Sequence, residues 1–166
     1  MSSAQTPTPP TRPLGRRIPP PVWRMINRFM RAVVGLPFPT PLGKRLMLVD
    51  LTGRKTGRRW RQPVSYVRHD GVLLTPGGGN WKRNLKPGEP VRLHVNGLDQ
   101  MATPELVTEP DAASDWLGVM IAANPTVTRF SGIGVDADGR PDRDRLDQAL
   151  QHGFAVVIWH LDQPKP

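Results

Sequence analysis

Apolar residues recur with a helical period in "PVWRMINRFMRAVVG" (residues 21–35). Arg24, Asn27, Arg28 and Arg31 fall on one stripe, opposite Val22, Met25, Ile26, Phe29, Met30 and Val33. Pro21 suits the first turn, and Gly35 followed by Pro37 stops the helix. After "LPFPTPLG" the pattern changes to that of strands. "RLMLVDL" (45–51), "RQPVSYVRH" (61–69), "GVLLTP" (71–76), "PVRLHVN" (90–96), "LDQMATPELV" (98–107) and "FAVVIWHL" (154–161) read as six strands. Asp70-Gly71 and Asn96-Gly97 are tight-hairpin signals between them. Pro63 and Pro104 inside strands imply edges or bulges. "PDAASDWLGVMIAAN" (110–124) and "PDRDRLDQALQHG" (141–153) read as helices, joined by a loop rich in Gly and Asp. Short turns and peripheral helices predict an α+β, mainly β chain built as a small β-barrel, not a parallel sheet.

Composition changes this picture at the N-terminus. Residues 1–21 are rich in Pro, Ser and Thr and are expected to be a disordered arm, leaving 22–166 as one domain. Arg16-Arg17 is followed at once by Pro19, Pro20 and Pro21 where an export signal needs an apolar run, so cytoplasmic location is expected. The basic amphipathic helix at 22–34 can lie on an anionic membrane surface; the alternative is that its apolar face caps the core. Cysteine is absent, which excludes disulfides and thiolate chemistry. His69, His94, His152 and His160 show no metal-ligand spacing, and no metal is expected. A net charge of +9 favours an anionic partner.

Two stretches have the shape of anion sites. "DLTGRKTGRRWRQPVSYV" (50–67) packs Arg54, Lys55, Arg58, Arg59 and Arg61 around Gly53 and Gly57, with hydroxyls from Thr52 and Thr56. Positive-φ glycines would let this turn aim N–H groups at a ligand, while arginine forks grip phosphate or carboxylate. The alternative is a solvated hairpin tip. "TPGGGNWKRNLKPG" (75–88) runs three glycines into a short helix that Asn80 would cap, a second anion-binding arrangement. Its plain alternative is a flexible loop beside an ordinary helical turn.

Together these stretches resemble the deazaflavin-dependent nitroreductase and quinone reductase family, over about residues 45–107. The matching residues are Thr52 to Gly57, Pro63, Asp70-Gly71, Gly77 to Gly79, and Trp81, Asn84 and Leu85. The resemblance implies a split β-barrel related to the FMN-binding fold, and coenzyme F-420 (8-hydroxy-5-deazaflavin) as cofactor, with FMN in some relatives. That coenzyme carries a phosphodiester and a glutamate tail, in accord with the charge. By position, Arg54, Lys55 and Thr56 would hold the phosphate and tail, with Thr52, Arg59 and Arg61 beside them. Pro76, Gly77, Gly78, Gly79 and Asn80 would run along the deazaflavin and ribityl chain, supported by Trp81, Arg83 and Asn84. Where many relatives carry a proline and then an arginine, this chain has Arg58, Arg59, Trp60 and Arg61. Nitroimidazole-reducing relatives present a tyrosine two residues after the proline, where this chain has Ser65.

The activity implied is hydride transfer from reduced deazaflavin to a small electrophile, such as a quinone or activated alkene. A completing proton would come from Ser65, Tyr66 or solvent. The N-terminal helix and Trp116, Met120 and Ile121 would line the acceptor site. Rival readings are an FMN-dependent reductase on the same barrel and a non-catalytic deazaflavin carrier. A basic nucleic-acid-binding module ranks below these, because the aromatics sit mainly in apolar contexts. Either a monomer or a homodimer fits the sequence.

Overall fold

The structure is a computed structural model and describes residues 28, 31–37, 39–41 and 43–162. The Pro-rich arm and most of the 22–34 helix lie outside the described residues; residues 28 and 31–34 are helical. Seven strands follow: β1 (Leu46–Thr52), β2 (Arg59–Ser65), β3 (Val67–His69), β4 (Val72–Gly77), β5 (Val91–Val95), β6 (Leu98–Val107) and β7 (Ala155–Leu161). They form one antiparallel sheet in the order β2-β1-β5-β6-β7-β4-β3. Because β2 runs directly into β3, the two ends of this order come together and the sheet curls into a split barrel. Besides the end of the N-terminal helix, three helices of the described residues pack outside it: α1 (Pro110–Ala123), α2 (Val127–Ser131) and α3 (Arg143–Gln151).

Strand alternation gives the sheet two apolar faces. Met47, Val49, Leu51, Leu73, Leu93, Val157 and Trp159 point into the barrel. The Trp159 indole, fully buried, donates from Nε1 to the Thr75 hydroxyl at 3.0 Å, which satisfies both polar groups. Leu74, Val156 and Ile158 face outward under α1 to α3, against Leu117, Met120 and Leu146. A third cluster joins Val34 to Leu46 and Leu48, so the end of the N-terminal helix covers the outer face of β1.

Both tight turns form where the sequence places them. Asp70 and Gly71 have φ of 44° and 81°, and Asn96 and Gly97 have 49° and 87°, the paired positive values that short hairpins need. Pro104 sits in a strand flanked on both sides, yet the β5–β6 pairing ends at Val91–Ala102, so its missing N–H breaks no ladder.

Two expectations are corrected. The segment 61–69 is two strands, making seven in all, because its partner changes at Tyr66: up to there it pairs with β1, the Tyr66 N–H still donating to the Arg45 carbonyl at 3.0 Å, and from Val67 it pairs with β4. The loop before residue 140 contains α2, a single turn between Pro125 and Gly132.

Candidate functional site

The basic turn closes on itself. Gly53 N–H donates to Arg58 O and Gly57 N–H to Gly53 O, both at 2.8 Å, which projects Arg54, Lys55 and Thr56 from the tip. Gly57 takes a positive φ of 64°; Gly53 does not, contrary to expectation. Gly53 is needed for closeness instead, since a Cβ there would lie 2.9 Å from the Thr56 hydroxyl. The turn also keeps fewer free amides than the sequence suggests. Arg58 N–H donates to the Thr56 hydroxyl at 3.3 Å and Arg54 N–H to Asn84 Oδ1 at 3.2 Å.

That last bond joins the two anion-shaped stretches. The Arg54 guanidinium donates to the Arg83 carbonyl at 3.1 Å, and Asn84 Nδ2 donates back to the Trp81 carbonyl at 3.2 Å. Asn84 is thus a clasp between the hairpin and the 3-10 turn Trp81–Asn84. Asn80 occupies the position before this turn, but its side chain makes no capping bond. With four residues the turn has little dipole, so charge at this site comes from side chains.

Next to the clasp lies a cleft of about 780 Å³. Thr52, Arg54, Arg59, Arg61 and Asn84, all predicted from sequence, line it. Alternation puts Arg59 and Arg61 on the outer face and turns Trp60 toward the barrel. Arg61 Nε donates to Asp50 Oδ1 at 3.0 Å across the β1–β2 pair. Arg92 and Lys86 also line the cleft and were missed in the sequence. Arg92 lies one residue past the Val49–Leu93 pair, on the other flank of Asp50. Lys86 pairs with Glu89 at 3.1 Å. The two carboxylates of the cleft are therefore already matched, whereas Arg59 and Arg92 have no carboxylate partner among the described residues.

Other predicted residues lie elsewhere. Lys55 and Thr56 stand exposed on the turn, and Arg83 is exposed with its carbonyl on Arg54. Pro76, Gly77, Gly78, Gly79, Asn80 and Trp81 form the approach to the 3-10 turn, outside the cleft lining. Asn80 and Asn84 are about 8 Å apart at the 3-10 rise, so this loop and the cleft are neighbouring parts of one surface. Trp81 stacks on Trp159 with 6.3 Å between rings and 8° between planes. Gly77 is pressed between the Ala155 carbonyl and the Lys82 side chain, where no Cβ fits.

The expected proton donors are not in the cleft. Tyr66 is buried in the barrel with its hydroxyl donating to the Gly43 carbonyl at 2.9 Å, and burial raises its pKa. Ser65 lies opposite Leu46, at the far end of β2 from Arg59 and so roughly 20 Å away at strand rise. Met120 and Ile121 are core residues under the sheet, and Trp116 meets the edge of His69; none of the three lines this cleft.

The model of a family described as F420H(2)-dependent quinone reductase matches residues 22–134. The chain belongs to that family. It is a deazaflavin-dependent oxidoreductase, and its cofactor is coenzyme F-420. The donor set fits this group: the arginine forks and the Thr52 hydroxyl suit a phosphodiester and carboxylates. A comparison with curated proteins gives no match. Among solved structures, the reductase is similar to an F420-H2 dependent reductase (FDR-A), at 15% identity and TM-score 0.47 over 70% of this chain and 94% of that one. It is also similar to HutZ, a heme storage protein from Vibrio cholerae, at 12% identity and TM-score 0.47 over 85% and 90% of the two chains.

Proposed function

We propose that this reductase passes a hydride from reduced coenzyme F-420 to a small electrophilic acceptor, a quinone first and an activated alkene second. The observation that carries the reading is the Arg54–Asn84 clasp, which brings a basic hairpin and a glycine loop to one edge of the barrel. In this reading Thr52, Arg54, Lys55, Thr56, Arg59 and Arg61 hold the phosphodiester and tail. Pro76 to Asn80 flank the ring and ribityl chain, with Trp81, Arg83 and Asn84 fixing their position. The cofactor supplies the hydride. The protein's part is to bind, to orient and to exclude water, which needs no paired acid and base. Trp81, anchored on Trp159, gives the loop a rigid apolar floor. With Tyr66 committed to the Gly43 carbonyl, a completing proton comes from Ser65 or solvent.

The test is the double variant Arg54→Ala, Lys55→Ala, titrated with reduced deazaflavin and with FMN by fluorescence. Two charge-assisted grips are lost, each about 1.5–3 kcal/mol. Deazaflavin affinity is expected to fall by tenfold or more, which corresponds to about 1.4 kcal/mol or above. Unchanged affinity in a folded double variant overturns the assignment.

A further inference from the structure

Lys82 is a buried cation that the sequence motif leaves unassigned. The residue is 6% exposed, and no carboxylate pairs with it among the described residues. Its stem crosses Gly77, where a Cβ would meet Lys82 Cδ at 2.5 Å, and its Nζ donates to the Gly79 carbonyl at 2.7 Å. The chain thus threads a lysine along the underside of its own glycine loop. Above that loop Gly78 has open space around it, and Gly79, at a positive φ of 79°, presents its carbonyl to the ammonium.

An unpaired charge in such a place is costly to the empty protein. Burial, and secondarily Arg83, hold its pKa below the usual lysine value. Gly77, Ala155 and Val157, the β4 and β7 residues beside its stem, carry no ionisable side chain; the charge it feels comes from Arg83 on its own turn. A hydrocarbon side chain of equal length would fill the same channel without that penalty. The ammonium earns its place only if something negative arrives on the other side of the loop.

We infer that Lys82 is a counter-charge for the ionised ring of the bound coenzyme, acting across the glycine loop to favour the deprotonated 8-hydroxy-deazaflavin. The inference rests on the proposed placement of Pro76 to Asn80 along the ring. An 8-hydroxyl conjugated with an electron-poor ring system is acidic, and its loss of a proton leaves a delocalised anion. A fixed cation within a few ångströms favours that anion, as an opposite charge favours any ionised group. Arg54, Arg59 and Arg61 serve the phosphodiester and tail; Lys82 is placed to address the chromophore.

The experiment follows the visible absorption of bound coenzyme through a pH titration, in wild type, Lys82→Met and Lys82→Arg, with thermal melts of each apo protein. In Lys82→Met the ionisation midpoint of the bound chromophore is expected to rise by about one pH unit, and in Lys82→Arg to stay near wild type. The apo Lys82→Met protein is expected to melt no lower than wild type, since an unpaired buried charge has been removed. An unshifted midpoint in Lys82→Met with coenzyme bound refutes the inference and leaves the cofactor reading intact. Wild type that binds no deazaflavin refutes both. If Lys82→Met does not fold, Lys82→Gln gives the same comparison, and an unshifted midpoint there is equally decisive.

Discussion

Replacing Asn84 by Leu tests whether the two halves of the site are held together by one side chain. The substitution keeps asparagine's branched heavy-atom skeleton and removes two hydrogen bonds, Arg54 N–H to Oδ1 at 3.2 Å and Nδ2 to the Trp81 carbonyl at 3.2 Å. Each bond contributes about 0.5–1.5 kcal/mol, and with Arg54 exposed the sum belongs at the low end, near 1 kcal/mol. That free energy applies to local opening of the hairpin tip, since β1 and the barrel keep all their contacts. Hydrogen exchange read amide by amide is the direct assay. The Arg54 amide should exchange roughly five times faster, as 1.4 kcal/mol is a factor of ten. The amides of Met47 and Val49 on β1 should be unchanged. Coenzyme affinity should fall about three- to tenfold, because the corner must then be ordered on binding. Asn84→Asp separates geometry from charge: it keeps the acceptor for Arg54 but puts a carboxylate in a cleft for anions. It should weaken binding while leaving Arg54 exchange near wild type. If Arg54 exchange in Asn84→Leu matches wild type, the clasp is not what holds the site together.

Thr75→Val leaves the Trp159 indole N–H without an acceptor inside the barrel and should cost about 1–3 kcal/mol in urea denaturation; a loss under about 0.5 kcal/mol would contradict this. Asp99 has its pKa lowered from 3.8, chiefly by the hydrogen bond to His94. A depressed folded pKa contributes stability above the unfolded value and loses it as pH falls through the folded one. Asp99→Asn should therefore flatten the acid limb of the stability profile below about pH 4, and an unchanged acid limb would show that the pair is idle. Val34 is 2% exposed on Leu46 and Leu48, so the end of the N-terminal helix is expected to cap the core and not a membrane. Flotation of the full chain with anionic vesicles, lost on removing residues 1–36, would reverse that.

The hairpins were readable because their signals are local. Asp70-Gly71 and Asn96-Gly97 carry the positive φ values of their turns in two residues, whatever the rest of the chain does. The end of the N-terminal helix was readable for the same reason, with Gly35 N–H bonded to Arg31 O. What the sequence hid depends on distant partners. The break at Tyr66 comes from a change of partner, β1 before it and β4 after it, and the tyrosine hydroxyl is spent on Gly43, so adjacency in sequence made it look available for chemistry. Arg92 joins the cleft only through the register of β5 against β1, which no spacing within β5 announces. Lys82 belongs to the short helical turn after the glycines, and its burial follows from a glycine five residues earlier that leaves room for its stem. Of the candidate site, the hairpin arginines and Asn84 were legible as a motif, whereas their separation from Ser65 was a matter of strand length.

The parallel stack of Trp81 on Trp159 gives the enzyme an optical reporter of its own. One indole is sealed in the barrel and the other belongs to the segment that leads out of the glycine loop. Any movement of that loop changes the coupling of two indoles whose planes lie 8° from parallel. Near-ultraviolet circular dichroism can therefore follow the loop in the unlabelled protein, on the same sample used to watch the cofactor bind.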